Sequence, residues 1–152
     1  MKRILVKSVY DAFDYVMDHY YPFGLKEFAG RRDTYAVISI QDTHTLGFGF
    51  QFAQSECCKA VLTLYFDDVY KPVEGAVLFS EEMAEQIIGF IEANQNVDTL
   101  LVHCYGGESR SRAVGAFAAK MLRGSNEEYF ATGNPNEVVY ETLMDVWERR
   151  IR

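Results

Sequence analysis

The stretch VHCYGGESRSR, residues 102–112, follows an apolar run and leads into an Ala-rich amphipathic segment. An apolar run that ends in a Gly-containing turn and opens a helix directs backbone N–H groups at one spot, with the positive end of the helix dipole behind them. Cys104 and Arg110 bracket five residues, so the loop can curl with the sulfur at its base and the guanidinium forked over two phosphate oxygens. We interpret this stretch as a phosphate-binding catalytic loop.

The residue types in the loop fit that chemistry. Cysteine is a strong nucleophile only as a thiolate, which a helix N-terminus and a neighbouring cation both favour. Gly107 is expected to provide a close approach or a positive φ, and Glu108 is expected to point outward because its carboxylate would repel an anion. We expect the residues between the cysteine and the arginine to act through their backbone: Tyr105, Gly106, Gly107, Glu108 and Ser109.

The string His103-Cys104-x-x-Gly107-x-Ser109-Arg110-Ser111 resembles the signature of the cysteine-dependent protein tyrosine phosphatases, and the two serines resemble its dual-specificity branch. A chance match at five positions beside a cysteine, at roughly one in twenty each, is on the order of one in a million. The alternative is a cysteine buried at a strand end beside an ordinary surface arginine, which structural context decides. The resemblance covers residues 60–124.

The resemblance implies hydrolysis of phosphotyrosine through a cysteinyl-phosphate intermediate, with no metal or other cofactor. Whether the pocket takes phosphotyrosine alone or also phosphoserine and phosphothreonine stays open on the sequence. Arg110 would bind the phosphoryl group, and Ser111 would stabilise the departing thiolate. His103 would tune Cys104 through hydrogen bonds rather than take its proton. The alternative for His103 is a buried histidine whose hydrogen bonds are all made within the core. The alternative for Ser111 is a serine that accepts a hydrogen bond from a backbone N–H in the first helical turn.

Asp68 is the candidate general acid, because LYFDD at residues 64–68 resembles the strand-to-loop segment whose last Asp serves this family as the acid. The same carboxylate would then activate the water that hydrolyses the intermediate. Asp67 is an alternative, since side-chain alternation does not hold beyond a strand end, and Asp42 is a third. Turn chemistry is the non-catalytic interpretation of Asp67 and Asp68.

Four other functions stay open on the sequence. One is a catalytically weak phosphate-binding pseudophosphatase, although Cys104, Arg110 and an acid candidate occur together. Another is a CX5R enzyme that acts on a non-protein phosphoester. The remaining two are sulfur transfer of the rhodanese kind and arsenate reduction. Families of the last two kinds generally have a different loop length or carry the cysteine near the N-terminus.

Composition bounds the class of protein. With 152 residues, 49% apolar and 24% charged, the chain fits a single domain over residues 1–152. No apolar run reaches about 18 residues, and the first seven return to charge too soon for a signal peptide. Three cysteines, two of them adjacent, form no disulfide framework or zinc spacing. We therefore expect a cytoplasmic location without a membrane partner.

The net charge of −7 argues against nucleic acid as a partner. The expected partner is a phosphorylated protein or a small phosphoester, and the sequence gives no prediction of oligomeric state. Phosphate affinity must then be local to the loop. A basic cluster, Lys26, Arg31 and Arg32, is expected to be solvated. The alternative is that Arg31 and Arg32, together with residues 47–52, form the rim that selects substrates.

Hydrophobic patterns predict alternating strands and helices, hence an α/β fold with a mostly parallel central sheet flanked by helices. The strands are expected at residues 4–6, 35–40, 60–66 and 99–103, and the helices at residues 9–19, 81–94, 111–123 and 136–150. Val9, Phe13 and Val16 should share the buried face of the first helix. Residues 47–52 fit either an edge strand or a loop.

This topology predicts which side chains meet. Ligands bind beyond the carboxyl ends of such strands, and Cys104, Asp42 and the Asp67–Asp68 pair each follow a strand. Cys57 and Cys58 instead precede a strand, so they should lie far beyond the roughly 7 Å limit for a disulfide with Cys104. His19 and His44 show no partner pattern and are expected at the surface or at helix caps.

Overall fold

The computed structural model describes residues 1–44, 48–49 and 51–151. In chain order these residues form β1 (Arg3–Ser8), α1 (Val9–Tyr20), β2 (Tyr35–Gln41), β3 (Cys58–Tyr65), α2 (Glu81–Ala93), β4 (Thr99–Cys104), α3 (Arg110–Arg123), α4 (Glu127–Ala131) and α5 (Glu137–Arg150). The four strands make one sheet in the order β1-β4-β2-β3, and every pairing is parallel. The predicted fold class is confirmed.

Helices cover both faces of the central strands. Side chains alternate along β2 and β4, so Ile38 and Leu100 pack against α2, α3 and α5, whereas Val37 and Leu101 pack against α1. Both strands are buried along their whole length, which explains why their sequences are continuous apolar runs. No helix in the described part of the chain is both long and apolar enough to cross a membrane.

Local capping sets the start of two helices where the sequence predicts it. Ser8 Oγ accepts a hydrogen bond from the Asp11 amide at 3.1 Å, and Ser80 Oγ accepts one from the Met83 amide at 3.2 Å. The predicted burial of Phe13 is wrong, since its side chain is 42% exposed. It lies beside a surface cleft between α1 and the irregular residues 51–54.

The sequence does not predict α4. Its residue Tyr129 is buried against two alanines of α3, and Arg112 anchors the segment through bonds from Nε to the Tyr129 carbonyl (2.8 Å) and from Nη2 to Thr132 Oγ1 (2.6 Å). A helix of five residues with one buried side chain leaves no periodic pattern. The elements beside it fall within one or two residues of their predicted bounds.

Gly115 lets α3 pack closely on β1. A Cβ at this position would lie 2.4 Å from Val6 Cγ2 and 3.2 Å from Tyr129 Cε1, whereas a Cβ at Gly89 in α2 would meet no atom within 4 Å. We expect Gly115→Ala to lower the free energy of unfolding by about 1–3 kcal/mol through overpacking. The control Gly89→Ala should raise it by up to about 1 kcal/mol through helix propensity. Urea denaturation measures both, and equal values would contradict the close packing.

Candidate active site

The loop of residues 104–110 joins β4 to α3 at the carboxyl edge of the sheet. Asp42 follows β2 and the Asp67–Asp68 pair follows β3 at this same edge, as the sequence predicts. The loop borders a cavity of about 360 Å³, whose walls also include the segment after β3 and residue 134. Its lining residues are Asp68, Tyr70, Cys104, Tyr105, Gly106, Glu108, Ser109, Arg110 and Asn134.

Three carbonyl groups of the loop accept hydrogen bonds from backbone amides of neighbouring segments. Those of Tyr105, Glu108 and Ser109 accept hydrogen bonds of 3.0–3.1 Å from backbone amides of α1, α3 and residues 134 and 136. In a trans peptide the next N–H points away from the carbonyl. The amides of Gly106, Ser109 and Arg110 are therefore directed away from these partners.

Gly107 fits where no other residue would. Its φ is +76°, and a Cβ would lie 2.6 Å from both Lys7 C and Ser8 N at the end of β1. The close approach and the positive φ are both present, as expected. At the neighbouring Gly106 a Cβ would meet no atom within 4 Å, and Glu108 is exposed.

The sulfur of Cys104 lies at the base of this loop and is surrounded by donors. The residue is 2% exposed, its Sγ lies 3.0 Å from Ser111 Oγ, and it accepts a hydrogen bond from the Gly107 amide at 3.2 Å. Both groups can donate to a thiolate. The predicted neighbours Cys104 and Ser111 are thus in contact.

Arg110 is buried, with 5% exposure, and one side of its guanidinium is already bound. Nη1 donates to Asp42 Oδ1 and to the carbonyl of Phe66, both at 2.8 Å. Nε is buried and finds no acceptor among the described residues. Asp42, a candidate acid on the sequence, here forms an ion pair that fixes the arginine.

Asp67 and Asp68 have different surroundings. Asp67 is 8% exposed and accepts hydrogen bonds from Thr43 Oγ1 and, at 2.7 Å, from the Val77 amide. Burial opposes the charge of Asp67, but the hydrogen bonds from Val77 and Thr43 outweigh it and hold its pKa below the usual value. Asp68 lines the cavity, and its Oδ1 accepts a bond of 2.7 Å from Ser109 Oγ.

His103 belongs to a buried chain of hydrogen bonds that runs beneath the loop. The Phe48 amide donates to Gln41 Oε1, so Gln41 Nε2 donates to Ser39 Oγ, which lies 2.6 Å from His103 Nε2. His103 Nδ1 lies 3.3 Å from the Cys104 carbonyl, which only accepts. The imidazole therefore carries its proton on Nδ1 and accepts at Nε2. Sequence reasoning misses Ser39 and Gln41, although two polar residues at alternate positions of an apolar strand are a usable signal.

No protein-family model and no curated protein matches this sequence. Solved structures do. The human tyrosine phosphatase-like serine/threonine/tyrosine-interacting protein matches with a TM-score of 0.56 at 19% identity, over 78% of this chain and 80% of its own. Human DUSP28 matches with a TM-score of 0.55 at 17% identity, over 97% of this chain and 93% of its own. Tk-PTP in its active form matches with a TM-score of 0.53 at 18% identity, over 98% of this chain and 93% of its own.

This chain has a dual-specificity phosphatase fold. The resemblance stated from the loop residues is thus confirmed at the level of the fold. At identities of 17–19% the similarity to these three proteins concerns the fold alone.

The basic cluster lies at the wrong edge of this phosphatase fold to form the substrate rim. Arg31 binds Asp33 and, together with Arg32 and Cys57, borders a separate cleft at the amino ends of β2 and β3. Lys26 and Arg32 are exposed, as the predicted solvated face requires. The alternative, a contribution of Arg31 and Arg32 to the rim, is not met, because their loop runs from the end of α1 into the start of β2. All three cysteines are free, and Cys57 and Cys58 lie at the edge opposite Cys104, as the sequence predicts.

Aromatic side chains surround the loop instead. The ring centroid of Phe48 lies 5.8 Å from that of Tyr105, and Tyr10 meets Tyr105 edge-to-face at 6.3 Å. Tyr70 and Tyr105 line the cavity and are more than half exposed. Of residues 47–52, whose structure the sequence leaves open, 47 and 50 lie outside the described residues, and the other four belong to no strand. His44 is exposed and lies 3.8 Å from Asp67, and His19 bonds to a carbonyl within α1.

Burial lowers the pKa of His103 to about 4. The nearby charge of Arg110 also lowers this pKa, whereas the hydrogen bond with the Cys104 carbonyl raises it. An unfolded histidine titrates near 6.5, so between these two values the unfolded chain binds a proton that the folded chain does not. We expect the free energy of unfolding to fall by up to about 3 kcal/mol on this account as the pH drops from 6.5 to 4. Urea denaturation of the wild type and of His103→Gln across this pH range measures the contribution of His103 to the free energy of unfolding. Parallel pH curves for the two proteins would rule it out.

Proposed function

We propose that this chain is a cysteine-dependent protein phosphatase that hydrolyses phosphotyrosine, phosphoserine and phosphothreonine monoesters through a cysteinyl-phosphate intermediate. One observation carries the proposal. Cys104 and Arg110 both line one cavity, and the Arg110 guanidinium keeps a buried Nε–H without an acceptor among the described residues. A phosphoryl oxygen is the acceptor that suits this group.

In the proposed complex the phosphoryl oxygens lie inside the loop. The loop amides bind them, the helix α3 dipole favours their charge, and Arg110 binds through its unoccupied side. Asp42 and the Phe66 carbonyl hold the guanidinium in place before the substrate arrives. The site is therefore preorganised for an oxyanion, which is the main requirement for stabilising charge in a transition state.

The reaction then takes two steps. The Cys104 thiolate attacks phosphorus, an S–P bond forms, the P–O bond to the substrate breaks, and the Asp68 carboxyl gives its proton to the leaving oxygen. In the second step Asp68 takes a proton from water, the water oxygen attacks phosphorus and the S–P bond breaks. Ser111 Oγ, 3.0 Å from the sulfur, donates to the departing thiolate. Phosphate leaves and the acid is protonated again.

The walls of the cavity favour a protein phosphoester over a nucleotide or another polyanion. Tyr70 and Tyr105 present exposed rings at the cavity, where they can pack on a substrate phenyl ring. Asp68 and the exposed Glu108 would repel further phosphate groups on a substrate. A chemistry that depends on a free thiol suits a reducing compartment, so we place the protein in the cytoplasm.

We expect the purified protein to hydrolyse 4-nitrophenyl phosphate without added metal and vanadate to inhibit it. Cys104→Ser should reduce turnover to background, because a hydroxyl is a far weaker nucleophile than a thiolate. Cys57→Ser is the matched control, since it changes a buried thiol at the opposite edge of the sheet and should keep turnover. Release of nitrophenol is the measurement.

Other outcomes of this assay name other functions. Phosphate binding by calorimetry without release of nitrophenol would identify a binding module. Equal activity of Cys104→Ser and the wild type would reject the cysteinyl-phosphate route. Faster turnover of nucleotides than of a phosphotyrosine peptide would reject a protein substrate.

We expect Asp68→Asn to slow hydrolysis of phenyl phosphate by about 10²–10⁴-fold, the usual contribution of a general acid. It should slow 2,4-dinitrophenyl phosphate far less, because that leaving group departs without a proton. Asp67→Asn should lower stability, since it disturbs the bonds to Thr43 and Val77, and leave the ratio of the two rates unchanged. The reverse pattern, with the ratio altered only by Asp67→Asn, would make Asp67 the acid.

A further inference from the structure

Asn136 connects three parts of the site although it lines no part of the cavity. It is fully buried and directly precedes α5. Its backbone amide donates to the Ser109 carbonyl at 3.0 Å. Its side chain faces two ways: Oδ1 accepts from two amides of α5, and Nδ2 donates to Asp68 Oδ1 at 2.8 Å and to the Val69 carbonyl at 3.3 Å.

The contacts of Asp68 favour one carboxyl oxygen as the site of the proton. Oδ1 of Asp68 receives two donors, Asn136 Nδ2 at 2.8 Å and Ser109 Oγ at 2.7 Å. A proton on Oδ1 would require the Ser109 hydroxyl to turn from donor to acceptor, since the Asn136 N–H can only donate. A proton on Oδ2 keeps both bonds as they are and leaves that oxygen to serve a leaving group.

We propose that Asn136 is a positioning residue for proton transfer, and that it acts by holding Asp68 with Oδ2 as the proton donor. This inference rests on the proposed function of the cavity. The carboxyl follows the end of a strand in an irregular segment, where two rotatable bonds would otherwise let it turn. Donors on one oxygen restrict that rotation, and the Asn136 side chain is itself held by the two α5 amides that donate to its Oδ1.

Helix capping alone does not require asparagine here. Serine and aspartate cap helices about as well as asparagine, but neither offers both an acceptor to the helix amides and an N–H donor to a carboxylate. The amide is thus used at both ends. The capping role and the positioning role can be separated by substitution.

The experiment uses Asn136→Asp and Asn136→Ser, which keep the capping oxygen and remove the donor to Asp68. We expect both to reduce kcat/KM for phenyl phosphate by about 10-fold to 100-fold, as misplacement of a catalytic group does. Hydrolysis of 2,4-dinitrophenyl phosphate should change by less than about threefold, because its leaving group needs no proton. Asn136→Asp should show the larger effect, because a second carboxylate beside Oδ1 repels Asp68.

Two controls separate positioning from stability. Ser80→Ala removes a cap of the same kind from α2, away from the cavity, and should leave the ratio of the two rates unchanged. The double variant Asp68→Asn with Asn136→Ser should behave as Asp68→Asn alone, because the asparagine acts through that carboxyl. A further selective loss in the double variant would overturn the proposal.

The remaining outcomes also decide. If Asp68→Asn is selective for phenyl phosphate but both Asn136 variants slow the two esters equally, Asn136 is only structural and this inference fails while the proposed function stands. If the wild type hydrolyses neither ester, the proposed function fails and the positioning role fails with it. Unchanged circular dichroism and melting temperature in Asn136→Ser, together with the selective loss, establish the role.

Discussion

Burial of one positive charge, the guanidinium of Arg110, is the constraint on which the arrangement of the site depends. Removing an ion from water costs several kcal/mol unless partners compensate it. Here the partners are Asp42 after β2 and the carbonyl of Phe66 after β3, each at 2.8 Å. The first residue of α3 is thereby bonded to the segments that follow two strands. These bonds restrict the conformations that the loop before α3 can adopt. Nε stays without an acceptor among the described residues, which leaves it available to the phosphoryl oxygen of the proposed complex.

The parts of the fold and the site that the sequence predicts are those set by neighbouring residues or by the parallel topology. The strand, loop and helix around Cys104 are contiguous, so the order of residue types determines them, and the helix starts at Ser8 and Ser80 depend on bonds that span three residues. The gathering of acids at one edge follows from parallel topology. The rim assignment of Arg31 and Arg32 conflicts with that topology, because a segment that leads from a helix into a strand lies at the amino edge.

The parts that could not be predicted depend on contacts between distant positions. Asp42 pairs with Arg110 across 68 residues, and Asn136 pairs with Asp68 across the same separation. A single sequence shows each residue with an ordinary local role, a polar strand end in one case and a helix cap in the other. The buried Ser39 is intermediate, since it stands directly opposite His103 in the register of β2 and β4. Once the strands are aligned, the hydrogen bond between them is expected.

The proposed anion site lies beside Asp68 in a protein with a net charge of −7, which sets negative charges against a negative ligand. Within the loop, the amide dipoles and Arg110 supply a positive potential over a few ångströms. The negative charges elsewhere on the surface do not cancel it, because salt screens them over about 8–10 Å. A second contribution comes from the contacts of Asp68 itself. Ser109 and Asn136 both donate to Oδ1, which concentrates the charge of the ionised carboxylate on the oxygen that they stabilise. In the proposed mechanism the same two donors would serve both states of the acid: they would favour its proton on Oδ2 and reduce its repulsion of a bound phosphoryl group once the proton has left.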